Sequence, residues 1–272
     1  MIMVTTMPHS PNVLVPLALA ALVLPGVGHA AWNNCKHQTG HVSRAATDGV
    51  STVEVYARAG SLEISGQGGA TELVASGEAC VSEEEMLEET GITLRREGDR
   101  LQVLVELPDT TDETGERWRG EYATLDLEVE LPHGVALVVV DSSGDLRIRN
   151  VASLQLTDSS GDIDVRGVDG PVLVPNDSSG DIYFADVGDV VIQIDSSGDI
   201  EIQRSGSVTI ANDTSGEIEI VNADGDVTVG NDSSGRISVE NVRGSFSVQN
   251  DTSGGIRHRD VAGAVSLPPG DD

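Results

Sequence analysis

Residues 195–213 read Asp-Ser-Ser-Gly-Asp-Ile-Glu-Ile-Gln-Arg-Ser-Gly-Ser-Val-Thr-Ile-Ala-Asn-Asp, and the last residue opens the next copy of the same pattern. The string Asp-(Ser/Thr)-Ser-Gly starts at Asp141, Asp158, Asp177, Asp195, Asp213, Asp232 and Asp251, at spacings of 17, 19, 18, 18, 19 and 19. Periodicity of this length marks a stack of one repeated supersecondary unit. Five residues after each Asp stand Leu146, Ile163, Ile182, Ile200, Ile218, Ile237 and Ile256. Seven after stand Ile148, Val165, Phe184, Ile202, Ile220, Val239 and His258. A second alternating pair precedes the next Asp, as in Val190 and Ile192 or Val208 and Ile210. Alternation at period two describes a strand with one buried face. Each copy therefore reads strand, turn, strand, turn.

One such rung cannot cover its own apolar side chains. Stacked at about 4.8 Å, the rungs pair their strands along the axis and merge those positions into aliphatic columns. Helix is excluded because Gly and Pro interrupt any 3.6-residue period and β-branched residues dominate. The sequence thus predicts an all-β protein, a single-stack β-solenoid with 17–19-residue two-strand rungs. One corner is a glycine column, Gly144, Gly161, Gly180, Gly198, Gly216, Gly235 and Gly254, as a left-handed backbone position demands. A second column, Gly170, Gly188, Gly206, Gly225, Gly244 and Gly263, marks the other turn, and Asn176, Asn212, Asn231 and Asn250 suit a stacked polar corner.

Working outward, the organisation reads as a signal peptide over 1–30, an N-terminal capping region over 31–134, the regular solenoid over 135–267 and a tail over 268–272. Residues 1–30 hold no Asp, Glu, Lys or Arg, and an apolar run from Val13 to Val27 ends in Gly28-His29-Ala30, small residues suited to cleavage before Ala31. In the capping region, Val53 to Val55 and Leu62 to Ile64 resemble one degenerate rung. Ile92 to Leu94, Leu101 to Val105 and Leu125 to Val129 alternate like strands. The acidic stretches Glu83 to Glu89 and Asp109 to Glu121 read as loops or a short helix. Cys35 and Cys80 are the only cysteines, and in an exported chain they are expected to pair, helping to form an irregular cap with Trp32. Pro268 and Pro269 cannot donate to a further strand and would block growth at the other end. After removal of the signal, no transmembrane span is expected.

The 272 residues carry 45 acids against 16 bases, a formal charge of −29. A chain this acidic is repelled by phosphate backbones, which excludes nucleic acid as a partner. With 3% aromatics, stacking of sugars is also weakly provided for, Tyr183 being the main outward ring. No cofactor is indicated. The carboxylates Asp145, Asp162, Asp181 and Asp199 repeat one environment, whereas acid–base catalysis needs groups in different ones. His133 and His258 stand alone. No catalytic residue is assigned, and a polysaccharide-active β-helix enzyme is the least favoured class.

The Leu131-Pro132-His133-Gly134 turn and the repeated Ser-Gly-Asp-Ile with its alternating strands resemble the bacterial "putative adhesin" domain of unknown function, from about Ser51 to Leu267. That resemblance implies an exported β-solenoid of the cell envelope, periplasmic or at the surface. It further implies an adhesin-like, non-enzymatic module whose partner is an envelope protein or a glycan. A structural scaffold without a ligand is the alternative.

Two features invite a test by structure. Leu137, Leu173 and Val191 are expected to form an outward apolar strip, covered by the 81–121 insert or, as the alternative, serving as a partner or dimer surface. The aspartate column would set carboxylates about 4.8 Å apart, repelling by roughly 3–4 kcal/mol at an effective dielectric of 20. The expected offset is local, each Asp accepting backbone N–H groups two and three residues ahead. The alternative is a cation held by Asp158, Asp162, Asp177, Asp181, Asp195 and Asp199.

Overall fold

The computed structural model describes residues 35–110 and 120–269. The expected signal segment, with its cleavage site, and Trp32 lie outside the described residues. The capping region contributes β1 (His37–Ala46), β2 (Thr52–Tyr56), β3 (Leu62–Gln67), β4 (Glu72–Val81), β5 (Gly91–Glu97), β6 (Arg100–Glu106) and β7 (Ala123–Pro132). The first repeats give β8 (Ala136–Val140), β9 (Leu146–Val151), β10 (Ser153–Thr157), β11 (Ile163–Val168), β12 (Val172–Asn176), β13 (Ile182–Val187) and β14 (Val190–Ile192). The later ones give β15 (Ile200–Ser205), β16 (Val208–Asp213), β17 (Ile218–Ala223), β18 (Val227–Asp232), β19 (Ile237–Val242), β20 (Phe246–Asp251), β21 (Ile256–Val261) and β22 (Val265–Ser266).

These strands form two eleven-stranded sheets, one running β1-β4-β7-β3-β9 and on through the odd strands to β21, the other β22 through the even strands to β8-β2-β6-β5. Together they make a β-solenoid of about seven turns. From β9 and β8 onward every pairing is parallel and, apart from one irregularity between β10 and β12 at Gln155–Thr157, in register, for example Ile200 with Ile218 and Val208 with Val227. Successive rungs thus lay like side chains over like. The interior is one continuous aliphatic core in which Ile200, Ile202, Val208 and Ile210 are all at most 1% exposed.

A third inward column, unrecognised from the sequence, comprises Val151, Val168, Val187, Ser205, Ala223 and Val242. The backbone just before it turns left-handed, with φ near +56° at Asn150, Asp186, Arg204 and Asn241 and +73° at Gly167. This kink adds an inward position out of phase with the period-two pattern.

The two glycine columns have different causes. Gly198 sits at φ +127°, and a Cβ there would lie 1.8 Å from the Gly180 carbonyl oxygen. Gly188, in the second column, has no positive φ; a Cβ there would meet the Gly170 oxygen at 2.3 Å. Conformation and close approach dictate the first column, close approach alone the second.

The capping end departs from the repeat. β1 pairs antiparallel with β4, β4 with β7, and β5 with β6. Cys35, just before β1, is disulfide-bonded to Cys80 of β4, which ties the outermost strand of its sheet to the next. The first acidic stretch forms a short 3₁₀ helix, Glu84–Glu89. The middle of the expected insert, Gly91–Glu106, supplies β5 and β6, the edge of the second sheet, so it extends the sheet instead of covering it. Leu137 was assigned the wrong phase. It is 1% exposed and in register with Val53 and Leu154, so it belongs to the core; Val138 takes the outward place.

Candidate functional site

The outer face of the second sheet carries a shallow groove of about 540 Å³ along β2, β8, β10 and β12. Strand alternation puts Thr52, Glu54, Val138, Gln155 and Leu173 on this face, with Pro171 at its rim. Val191, 37% exposed, continues the apolar line on β14, in register with Leu173. One flank is therefore aliphatic. The other is polar and held in place. Glu54 is 7% exposed, and its carboxylate accepts from Gln102 Nε2 at 2.9 Å, Arg100 Nη1 at 3.2 Å and Tyr56 Oη at 3.2 Å. The Gln102 hydrogen bond leads in holding its pKa below the ordinary carboxylate value, while burial and the Glu54 charge raise that of Tyr56.

Sequence reading missed this cluster because Glu54, between Val53 and Val55, looks like an ordinary solvent-facing residue. Two of its three partners, Arg100 and Gln102, come from β6, nearly fifty residues later, and only the parallel β2–β6 pairing brings them alongside. Further along the face the outward residues become Thr209, Thr228 and Ser247 in register, where Ser247 Oγ meets Thr228 Oγ1 at 3.3 Å.

On the other sheet, the Arg166 guanidinium lies 4.8 Å from the centre of the Tyr183 ring and is also held by Asp164. This outward ring is thus already stacked by a side chain of its own protein. His133 Nε2 is 3.4 Å from Asp169, and His258 lies in the last rung with its ring 6.1 Å from that of Phe246. The two histidines are not brought together.

The corners hold two carboxylate columns with opposite fates. Asp162, Asp181 and Asp199 are exposed, and each accepts the backbone N–H of the equivalent residue one rung on, at 3.1, 2.9 and 2.8 Å. They act as brackets between rungs. The ladder aspartates point inward: Asp158, Asp177 and Asp195 are fully buried, and Asp141, Asp213 and Asp232 are at most 2% exposed. The two columns therefore do not face each other. Among the described residues no three His, Cys, Asp or Glu side chains converge as metal ligands would.

The local offset expected for the ladder is made only in part. Asp141 Oδ1 accepts from Ser142 N at 2.8 Å and Asp232 Oδ1 from Ser234 N at 3.1 Å. Asp158, Asp177, Asp195 and Asp213 make no side-chain hydrogen bond of ordinary distance and angle, though backbone N–H groups of the Ser and Thr residues that follow lie close enough to counter part of the rise in their pKa values. The serines spend their hydroxyls elsewhere, Ser197 Oγ donating to the Ser178 carbonyl of the rung before. The asparagines do stack: Asn231 Nδ2 donates to Asn212 Oδ1 at 2.9 Å and Asn250 Nδ2 to Asn231 Oδ1 at 2.8 Å.

A two-sheet solenoid with these corners matches the family model described as Toastrack DUF4097 over residues 88–267. The chain belongs to the Toastrack family. No curated protein matches it. Among solved structures it is similar to a putative cell adhesion protein from Clostridium sporogenes, at 12% identity over 85% of this chain and 99% of that one, with a TM-score of 0.29. A putative adhesin from Parabacteroides merdae matches at 7% identity over 84% and 96%, TM-score 0.35. A putative lipid binding protein from Parabacteroides distasonis matches at 15% over 84% and 96%, TM-score 0.41. Among the described residues of this Toastrack chain, no helix is long and apolar enough to cross a membrane.

Proposed function

We propose that this Toastrack protein is an exported, non-enzymatic, adhesin-like binding module of the bacterial cell envelope. In this reading residues 1–30 direct export, 31–134 cap the stack and 135–267 form the binding body. The disulfide between Cys35 and Cys80 supports an oxidising compartment. The observation that carries the binding role is the groove on the second sheet. A fixed polar cluster around Glu54 borders an aliphatic shelf of Val138, Leu173 and Val191 on a rigid face, the mixed lining from which binding sites are built. The partner class is an envelope protein or a glycan.

The non-enzymatic assignment rests on the corners. Their acidic side chains recur rung after rung in bracket or ladder roles, and the isolated His133 and His258 have no shared partner. The scaffold alternative draws on the later rungs, where the same face is lined by the small hydroxyl side chains Thr209, Thr228 and Ser247.

The test is retention of the disulfide-intact protein on immobilised envelope material, compared with Leu173→Glu and Val138→Glu. Both positions face outward, so both variants should fold and lose binding. Equal retention of all three, or none by the unaltered protein, selects the scaffold reading.

A further inference from the structure

The corner that opens each rung buries a carboxyl group without a countercharge, six times over. Asp177 lies in register with Asp195, Asp195 with Asp213, Asp213 with Asp232 and Asp232 with Asp251. Neighbouring carboxyl groups are therefore one rung apart, about 4.8 Å along the axis. Where the same corner passes through the capping region, Ala57 takes the place of Asp, its N–H bonding the Val140 carbonyl beside Asp141. The column thus ends against an apolar residue.

The surroundings supply no cation. Strands entering the corner bury Val139, Leu156, Val174 and Ile192, and those leaving it bury Leu146, Ile163, Ile182 and Ile200. The charged residues of the corner itself, Asp145, Asp162, Asp181, Asp199, Glu217 and Arg236, are exposed. Of these only Asp199 acts on the column, on Asp213, with Asp251 acting on Asp232 from the last rung. The side-chain charges that act most strongly on the ladder are negative, while backbone N–H groups of the Ser and Thr residues that follow pull the other way.

An ionised carboxylate is an acceptor only, so two of them facing each other across a rung cannot bond. A buried ion without a partner neutralises instead. Both difficulties vanish when a proton lies between the two groups: the protonated one becomes a donor, the other accepts, and the column loses charge.

We propose that the aspartate column is a proton-binding chain, in which protons taken from solvent sit between successive carboxyl groups and make the solenoid tightest in mild acid. The ionisation behaviour agrees. Burial foremost pushes Asp141 up to about 7 and Asp158, Asp177 and Asp232 to about 6. Asp195 and Asp213 also rise through burial, and Asp195, squeezed between Asp177 and Asp213, rises further. The folded values exceed the unfolded value of about 3.9, so the folded state holds protons that the unfolded chain releases. The stabilisation is complete below about pH 4 and declines as pH climbs through 6 to 7. That is the reverse of ordinary acid denaturation.

The test combines melting with carboxyl-carbon NMR on the full, disulfide-intact chain. Between pH 8 and pH 5.5 the Tm should rise by about 5 °C or more. High salt, which screens surface repulsion, should leave the rise in place. Asp195→Asn separates the column from every other ionisable group. Its amide supplies a permanent donor, and the variant should melt higher than the unaltered protein at pH 8 and show a flatter pH profile. In the unaltered protein the Asp195 carboxyl carbon should titrate well above the ordinary aspartate range. A Tm that falls or holds steady from pH 8 to 5.5, an Asp195→Asn profile parallel to the unaltered one, or ordinary titration of Asp195 would each overturn the proposal. The carbon titration decides it even if the variant does not fold.

Discussion

The rungs from β8 to β21 and the capping region from β1 to β7 share the same two sheets but are held together by different means. In the rungs every column repeats one chemical solution: the Gly180–Gly198 contact, the Asn212–Asn231–Asn250 ladder and the Asp162–Asp181–Asp199 brackets each recur at the rung spacing. In the cap the repeat survives only in the rung that carries Gly60, at φ +129°. Its other devices are particular to it: three ten-residue strands paired antiparallel, a disulfide and the Glu54 cluster. A repeat can rely on stacking because its neighbour offers a matching surface, whereas the end of a stack needs one-off devices to cover an edge.

The widest gap between the two regions should come from glycine. Gly198→Ala places a methyl group against backbone in the preceding rung at a left-handed φ, and should cost at least about 4 kcal/mol in chemical unfolding. Gly98→Ala in the cap has φ +65° with nothing within 4 Å, so only conformational strain of about 1 kcal/mol is expected. Similar losses at both positions would mean that the rungs are not close-stacked.

Cavities sharpen the contrast along the stack. Ile200→Ala, in a fully packed rung, should lose roughly 2–5 kcal/mol, while Ile256→Ala in the half-buried last rung should lose less than half as much. Reducing Cys35–Cys80 opens a separation of 45 residues in sequence and should remove about 2–4 kcal/mol, read as a lower midpoint in denaturant. An unchanged midpoint would leave the antiparallel pairing alone to hold the cap. Smallest of all, a double-mutant cycle on the exposed Arg243–Asp224 pair should show a coupling below about 1 kcal/mol.

The regular rungs were legible because period and phase are local quantities. Ile200 and Ile202 announce an inward face within three residues, and Gly198 announces the corner. What escaped was set by contacts across the chain. The phase of Leu137 is fixed by Val53 on β2, and Glu54 is buried by Arg100 and Gln102 on β6, neither of which any local alternation reveals. The inward column at Ser205 and Ala223 was hidden by the left-handed residue before it, for which Asn150, Gly167, Asn222 and Asn241 were the available signal. The ladder was recognised, but its aspartates were expected to face their own serines. The strands turn them inward, and the hydrogen bonds that remain are those at Asp141 and Asp232.

The order of strands near the cap has a consequence for how the chain can be assembled. Although β2 and β3 are made early, they lie between β6–β7 on one side and β8–β9 on the other. The rung at residues 52–67 therefore acquires its second neighbour only after residue 151 has been synthesised. The stack cannot zip up from its amino end in step with translation; it must grow in both directions from a rung that waits for its flanks. Truncation from the carboxyl end removes turns one at a time, whereas excision of 52–67 cuts the column in its middle and parts the cap from everything below it.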